Sequence, residues 1–350
     1  MTPIKASVII NNYNYGQYLN DAIQSVLDQD YPNVELILVD DGSTDNSIEV
    51  VSRWGDRLKA ICKQNGGQGS AFNAGFAAAS GEIIFFLDSD DLLHPNIVSK
   101  VVKTFESDND IVKVQFRLQT CDENGSILNA SIPSNIERMR SGDLKDSILQ
   151  FPDDLTWQPT SGNAFSAEVL KKIFPMPEEE YRICADYYLS NIPGLFGSVV
   201  SIKELGGYYR IHQQNNHKDS ALDLQKTREI IQRTFFTHSQ ILKAAKSLQL
   251  QTNNAYSDGF QSITYLAHRM VSIKLSPTKH PFSSDSTYRL CLKGIKSAVN
   301  HLDQSYAQRL MYICWFIAMY LTPPKFAPFV AEAFFYEDRR SLKHLFNAVF

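Results

Sequence analysis

Residues 85–95 read FFLDSDDLLHP, and the run Ile83–Leu87 that leads into them is apolar enough for a buried strand. It ends in Asp88, Asp90 and Asp91. Ionised carboxylates this close repel one another, and the cost grows as water is removed, so they must be exposed, protonated or bound to a cation. The third alternative makes the end of this strand a candidate metal site.

Upstream, short apolar runs alternate with helical periodicity. Ala6–Ile10, Val34–Val39 and Leu58–Cys62 read as strands, and Tyr18, Leu19, Ala22, Ile23, Val26 and Leu27 recur at helical spacing. Ser43, Thr44 or Asp45 supplies an N-cap for a helix over Ile48–Trp54, and Asp91 is placed to cap a helix starting near Pro95. This alternation predicts an α/β fold with a mostly parallel central sheet. Three polar segments then fall on one rim: Asn11–Tyr15 after the first strand, Asp40–Asp45 after the second and Asp88–Asp91 after the fourth. The carboxyl edge of such a sheet is where ligands bind. Asp40–Asp45 alone also reads as an ordinary turn, and the joint placement is what points to a shared crevice.

The 350 residues carry 34 Lys and Arg against 38 Asp and Glu, a net charge of −4. That balance lacks the basic footprint of a nucleic-acid binder, so a small partner is expected. Five cysteines without a CxxC pair indicate neither a disulfide framework nor a zinc site and are expected to be reduced core thiols. The stretch MTPIKASVIINNYNYG lacks the apolar core of a signal peptide, which makes a cytoplasmic location the default expectation.

Five segments in order, SVIINNYNYGQYL, ILVDDGSTDNS, NGGQGSAFNAG, SGEIIFFLDSDD and YRICADYYL, resemble family 2 glycosyltransferases of the GT-A fold over roughly residues 5–215. The resemblance implies an inverting enzyme that uses a nucleotide-activated sugar and a divalent metal, Mn²⁺ or Mg²⁺. A hard cation held by oxygen ligands would neutralise the charge that gathers on a departing nucleotide diphosphate.

Residue by residue, the resemblance makes Asp90 the metal ligand, with Asp88 two positions earlier reaching the ribose or a metal-bound water. It implies that Tyr13 stacks on the base and Asp41 accepts the N3–H of a uracil, which favours UDP while leaving dTDP open. Asn11 and Asn73 line the nucleotide crevice. Many relatives carry a basic residue where this chain has Phe72, so cationic help for the diphosphate is expected from Arg210, with His212 completing the metal shell. Asp186 matches the catalytic base, although Ala185 takes the place of a Glu that often precedes it. Trp157, Thr160, Ser161 and Asn163 resemble the acceptor side. The Gln-x-x-Arg-Trp signature of processive synthases is absent, so transfer of a single sugar to a carbohydrate or lipid-linked acceptor, as in surface polysaccharide or glycan assembly, is expected.

The domain is expected to end near residue 220, with a helical accessory region over 221–350. Its most apolar run, LMYICWFIAMYL (Leu310–Leu321), is too short to span a bilayer. A buried helix is the first expectation and peripheral contact with the inner face of a membrane through 307–336 the second. Two rivals stay open. One is a sugar nucleotidyltransferase, against which NNYNYG speaks because it holds no basic residue; the other is an inactive nucleotide-sugar binding module.

Overall fold

A computed structural model describes residues 3–212, 222–251, 260, 262–301 and 304–335. The chain divides into two compact units, Met1–Ile148 with Thr156–Gln214, and Leu149–Leu155 with Asn215–Phe350. The expected boundary near 220 did not foresee that the short piece Leu149–Leu155 groups with the C-terminal residues.

In the first unit the strands are β1 (Ala6–Asn12), β2 (Val34–Asp40), β3 (Lys59–Cys62), β4 (Ile83–Asp88), β5 (Leu92–Leu93), β6 (Ile111–Cys121), β7 (Ile127–Ile132), β8 (Asn163–Ser166) and β9 (Ser198–Arg210). The helices are α1 (Gly16–Leu27), α2 (Ser47–Ser52), α3 (Gln68–Ala78), α4 (Ile97–Ser107), α5 (Lys145–Gln150), α6 (Ala167–Ile173) and α7 (Asp186–Asn191). Among the described residues the sheet runs β3-β2-β1-β4-β8-β6-β9-β5, with β7 on β6. Strands β3, β2, β1 and β4 are mutually parallel, as the alternation predicts. Beyond them β8 is antiparallel to both β4 and β6, and β9 runs parallel to β6.

Alternation along the strands builds the core. Val8, Ile10, Leu36, Leu38, Phe85 and Leu87 pack with Leu19 and Ile23 of α1 and Val98 and Val101 of α4. On the other face α3 approaches closely: a Cβ at Gly75 would lie 2.3 Å from Ile9 Cγ2. Phe72 is buried on this side with its ring stacked on Phe86 at 4.3 Å, which is why an apolar residue suits that position.

Two capping expectations change. Asn96, not Asp91, occupies the N-cap of α4, because Asp91 is turned inward to other partners. Asn46 occupies the N-cap of α2, while Asp45 Oδ1 accepts from the Ser47 amide at 3.0 Å and so does capping work from one residue earlier. Cys121 and Cys291 are buried as expected of core thiols, whereas Cys62 and Cys314 are exposed.

The second unit is helical over its described residues: α8 (Leu224–Ser247), α9 (Ile263–Leu275), α10 (Thr287–Asn300), α11 (Tyr306–Leu321) and α12 (Ala327–Phe335). Its core gathers Leu266, Met270, Leu290, Phe316 and Met319. Asp154 accepts from the amides of Ile263 and Thr264 at 2.7 and 3.1 Å and so caps α9, which explains why Leu149–Leu155 belongs here. Among the described residues no helix is long and apolar enough to cross a membrane.

Candidate active site

The parallel register places the rim residues side by side. Asn11 pairs with Asp88 and Asn12 with Asp40 across the strands, and the side chains follow: Asn11 Nδ2 donates to Asp88 Oδ1 at 2.9 Å and Asn12 Nδ2 to Asp40 Oδ2 at 2.8 Å. The three polar segments therefore do share one edge.

At that edge Tyr13 is 47% exposed and open to solvent. Asp41, expected to accept the N3–H of a uracil, is buried and spends its carboxylate on internal donors, Lys63 Nζ at 2.7 Å and the Gly66 and Gly67 amides at 3.0 and 2.6 Å. Gly67 must be glycine: its φ is +90°, and a Cβ would sit 2.5 Å from the Arg182 carbonyl oxygen.

The acidic turn is clamped from behind. Ser161 Oγ donates to Asp91 Oδ2 at 2.6 Å and accepts from the Asp88 amide at 3.1 Å, while the Arg210 amide donates to Asp91 Oδ1 at 2.9 Å. Thr160 also hydrogen-bonds Asp88. Arg210, expected at a phosphate, buries its guanidinium instead: Nε donates to the Asp90 carbonyl, Nη1 to the Glu123 carbonyl and Nη2 to Asp21, each at 2.9 Å. The geometry gives it the shaping of the turn.

Asp90 Oδ2 lies 2.9 Å from His212 Nε2, and the imidazole stacks on Tyr18 with centroids 4.9 Å apart. The two residues expected to hold metal are thus neighbours. The rest of that loop, 213–221, lies outside the described residues.

Burial, and then the charge of Asp90, push the Asp88 carboxyl up to about 7, and burial with Asp90 and Asp88 lifts Asp91 well above the carboxylate range. Tyr15 is raised to about 12 by burial and by Asp90 and Asp88. Such concentrated negative charge fits a divalent cation. Among the described residues no group of three or more His, Cys, Asp or Glu side chains is arranged to hold a metal ion. Mg²⁺ and ions like it are commonly held by one or two carboxylates plus substrate phosphates, and Asp90 is the rim carboxylate that could serve in such a set, with His212 beside it.

The residues on the far side of the crevice are held through α3. The Gln68 and Gly69 amides donate to the carbonyls of Arg182 and Tyr181, both at 2.9 Å. The Gln68 side chain accepts from the Ala185 amide at 2.8 Å and donates to Asp88 Oδ1 at 3.1 Å. One glutamine thus bridges the acidic turn and the backbone just before Asp186, the first residue of α7. Asn73, expected in the nucleotide crevice, binds the Met176 carbonyl and amide and Glu178, fastening the 176–178 loop to α3.

The profile described as Glycosyl transferase family 2 matches residues 7–174. An uncharacterized glycosyltransferase of Nostoc sp. (strain PCC 7120) is 42% identical over 222 residues, which are 62% of this chain and 68% of that protein. The chain belongs to glycosyltransferase family 2. The glycosyltransferase GlyG of Streptococcus pneumoniae is 40% identical over a shorter stretch, 30% of this chain and 37% of its own. Among solved structures, residues 1–349 of S. aureus TarS in complex with UDP-GlcNAc superpose with a TM-score of 0.57 at 17% identity, covering 95% of this chain and 91% of that one. That likeness establishes the GT-A fold. Family membership decides for a glycosyltransferase and against a nucleotidyltransferase.

Beyond Asp186, this glycosyltransferase holds a group that motif reading missed. Lys113 of β6 is 0% exposed; its Nζ donates to the Ser190 carbonyl of α7 at 3.0 Å and sits 4.1 Å over the Trp157 ring. Burial lowers its pKa to about 7, and the charge of Asp186 works against that fall. Trp157 Nε1 donates to Asn191 Oδ1 at 3.0 Å. The short helix of Asp186 is therefore held by Gln68 in front and by Lys113 and Trp157 behind. A lysine inside the apolar run IVKVQF was the available signal; Gln68 carried none beyond lying in the glycine-rich segment.

Proposed function

We propose that this glycosyltransferase moves one sugar from a nucleotide-sugar donor, UDP-linked in preference, to a hydroxyl of a carbohydrate or lipid-linked acceptor, with inversion at the anomeric carbon. The reading is carried by one observation: Gln68 joins Asp88 on the rim to the backbone that presents Asp186, so two carboxylates from different elements share one crevice. TarS, a neighbour in fold, is solved with UDP-GlcNAc, which supports a uridine donor.

Tyr13 offers its exposed ring to the base, and Asp41 shapes the base pocket through the Gly66 and Gly67 amides. Asn11 and Asp88 border the ribose and diphosphate. Asp90 and His212 would hold Mn²⁺ or Mg²⁺, which when bound offsets the charge of the departing diphosphate. Asp186 takes the proton of the acceptor hydroxyl as its oxygen attacks the anomeric carbon. The bond from that carbon to the phosphate oxygen breaks, and its electron pair leaves with the nucleotide diphosphate. The Trp157 edge and the hydroxyl of Thr160 lie on the acceptor side; Ser161 serves the site from beneath by holding Asp91.

The test begins with a thermal-shift panel of UDP-, dTDP- and GDP-sugars with and without Mn²⁺, since a ligand selective for the native state must stabilise it. With the donor so found, Asp186→Asn should lower kcat about 10²–10⁴-fold while donor Kd and Tm stay unchanged. Near-normal turnover, or a product of retained anomeric configuration, would sink the mechanism.

A further inference from the structure

Helix α11 was expected to be buried, and only one face of it is. Trp315, Phe316 and Met319 point into the helical core. The opposite face presents Tyr306, Leu310, Cys314, Ile317 and Leu321, spaced by four, four, three and four residues, with Leu310 and Leu321 61% and 69% exposed. Antiparallel to it, α10 presents Leu292 and Val299, 49% and 53% exposed, on one stripe with the exposed cations Arg289 and Lys296. The two helices pack tightly, since a Cβ at Gly294 would lie 2.5 Å from the Phe316 ring. Their outer faces adjoin, with the rings of Tyr288 and Tyr320 6.1 Å apart.

The charge around this face is one-sided. From Asp285 to Glu332 the sequence holds Arg289, Lys293, Lys296, Arg309 and Lys325 against Asp285, Asp303 and Glu332, and Asp285 is engaged by Arg269 and His280, in a chain of net charge −4. Soluble chains rarely leave so continuous an apolar stripe uncovered, and such stripes mark interaction sites. Apolar side chains flanked by cations match a surface of acyl chains beneath anionic headgroups. A second copy is a poorer match, because an isologous contact would bring two patches of the same positive sign together.

We infer that the outer face of α10 and α11 docks on an anionic phospholipid bilayer, Leu310, Ile317 and Leu321 entering the headgroup boundary while Arg289 and Lys296 meet phosphates. The helices lie on the membrane and do not cross it. The inference stands apart from the sugar chemistry and is tested without it.

The test is co-sedimentation of the whole chain with vesicles of phosphatidylcholine alone and of phosphatidylcholine mixed with phosphatidylglycerol. Binding is expected to the mixed vesicles only and to weaken as salt rises. Leu310→Glu with Leu321→Glu should reduce binding at least roughly tenfold, and Arg289→Gln with Lys296→Gln roughly fivefold for each cation removed. These positions are exposed, so near-ultraviolet circular dichroism should stay that of the parent, and Leu310→Ser gives a milder variant if the charges disturb folding. Three outcomes overturn the inference: no binding to phosphatidylglycerol vesicles, equal binding by parent and variants, or light scattering showing a parent dimer that Leu310→Glu splits into monomers.

Discussion

Replacing Lys113 by methionine tests the electrostatics of the site. The ammonium is buried between the Trp157 ring and the Ser190 carbonyl, and its pKa falls from 10.5 to about 7, chiefly through lost solvation. A depressed lysine binds its proton less readily folded than unfolded, so stability rises with pH between those two values. The associated stabilisation is complete above 10.5 and lost as pH falls through about 7. One proton over that window amounts to about 1.4 kcal/mol per pH unit, or about 5 kcal/mol in all. The Lys113→Met variant has no proton to exchange at this position, so subtracting its profile from the parent's isolates this contribution. The offset at low pH mixes in the lost bond to Ser190, about 1.5–3 kcal/mol, and the ring contact, about 0.5–2 kcal/mol; the slope is therefore the diagnostic quantity. Urea unfolding of both proteins from pH 6 to 10 provides it. A flat difference between pH 7 and 10 would refute the reasoning, since it would mean that Lys113 titrates as an ordinary surface lysine. In an Asp186→Asn background the slope should begin at lower pH, because the carboxylate opposing the fall is gone.

Asp90→Ala should abolish transfer and remove most of the Mn²⁺-dependent part of UDP affinity, and calorimetry showing intact metal-dependent binding would contradict its place beside His212. Asp41→Ala should weaken UDP-sugar binding by about 1–3 kcal/mol, since it frees the Gly66 and Gly67 amides, while metal affinity is spared; equal affinity of the parent for GDP- and UDP-sugars would count against the base pocket. Gln68→Leu should lower kcat about 10–100-fold with little change in donor Kd, as expected when a reacting group is displaced by a fraction of an ångström. The same change in an Asp186→Asn background should cost nothing further, and additive losses would show that Gln68 acts elsewhere.

The parallel half of the sheet could be read because each of β1, β2 and β4 is an apolar run closed by a polar rim. The other half depends on pairings that no local pattern announces. Asn163–Ser166 looks like a loop by composition, yet it is the antiparallel strand that links β4 to β6, and β7 is largely exposed and shows no alternation. Side-chain roles divided in the same way. Asp88, Asp90 and Asp186 stand out as acids in apolar or aromatic settings. What Arg210, Asn73 and Ser161 do depends on partners 70 to 189 residues away, so residue type alone suggested ligand contacts where the structure records internal ones. Lys113 shows the converse, a charge hidden in a strand whose significance appears only when Trp157 and α7 close around it.

The way α3 grips the segment before α7 bears on how freely that segment's exposed side chains can vary. The attachments to α3 run through the backbone of 181, 182 and 185, to the amides of Gln68 and Gly69 and the side chain of Gln68, while the side chains of Tyr181 and Arg182 add contacts of their own. Glu180 and Ile183 meanwhile face solvent, whereas the Arg182 guanidinium donates to Asn65 Oδ1. Positions 180 and 183 can drift, or be randomised in a library, while Asp186 stays in register with the donor. The fold separates a fixed backbone frame from exposed positions beside it, so a library at 180 and 183 is expected to keep the parent's melting temperature.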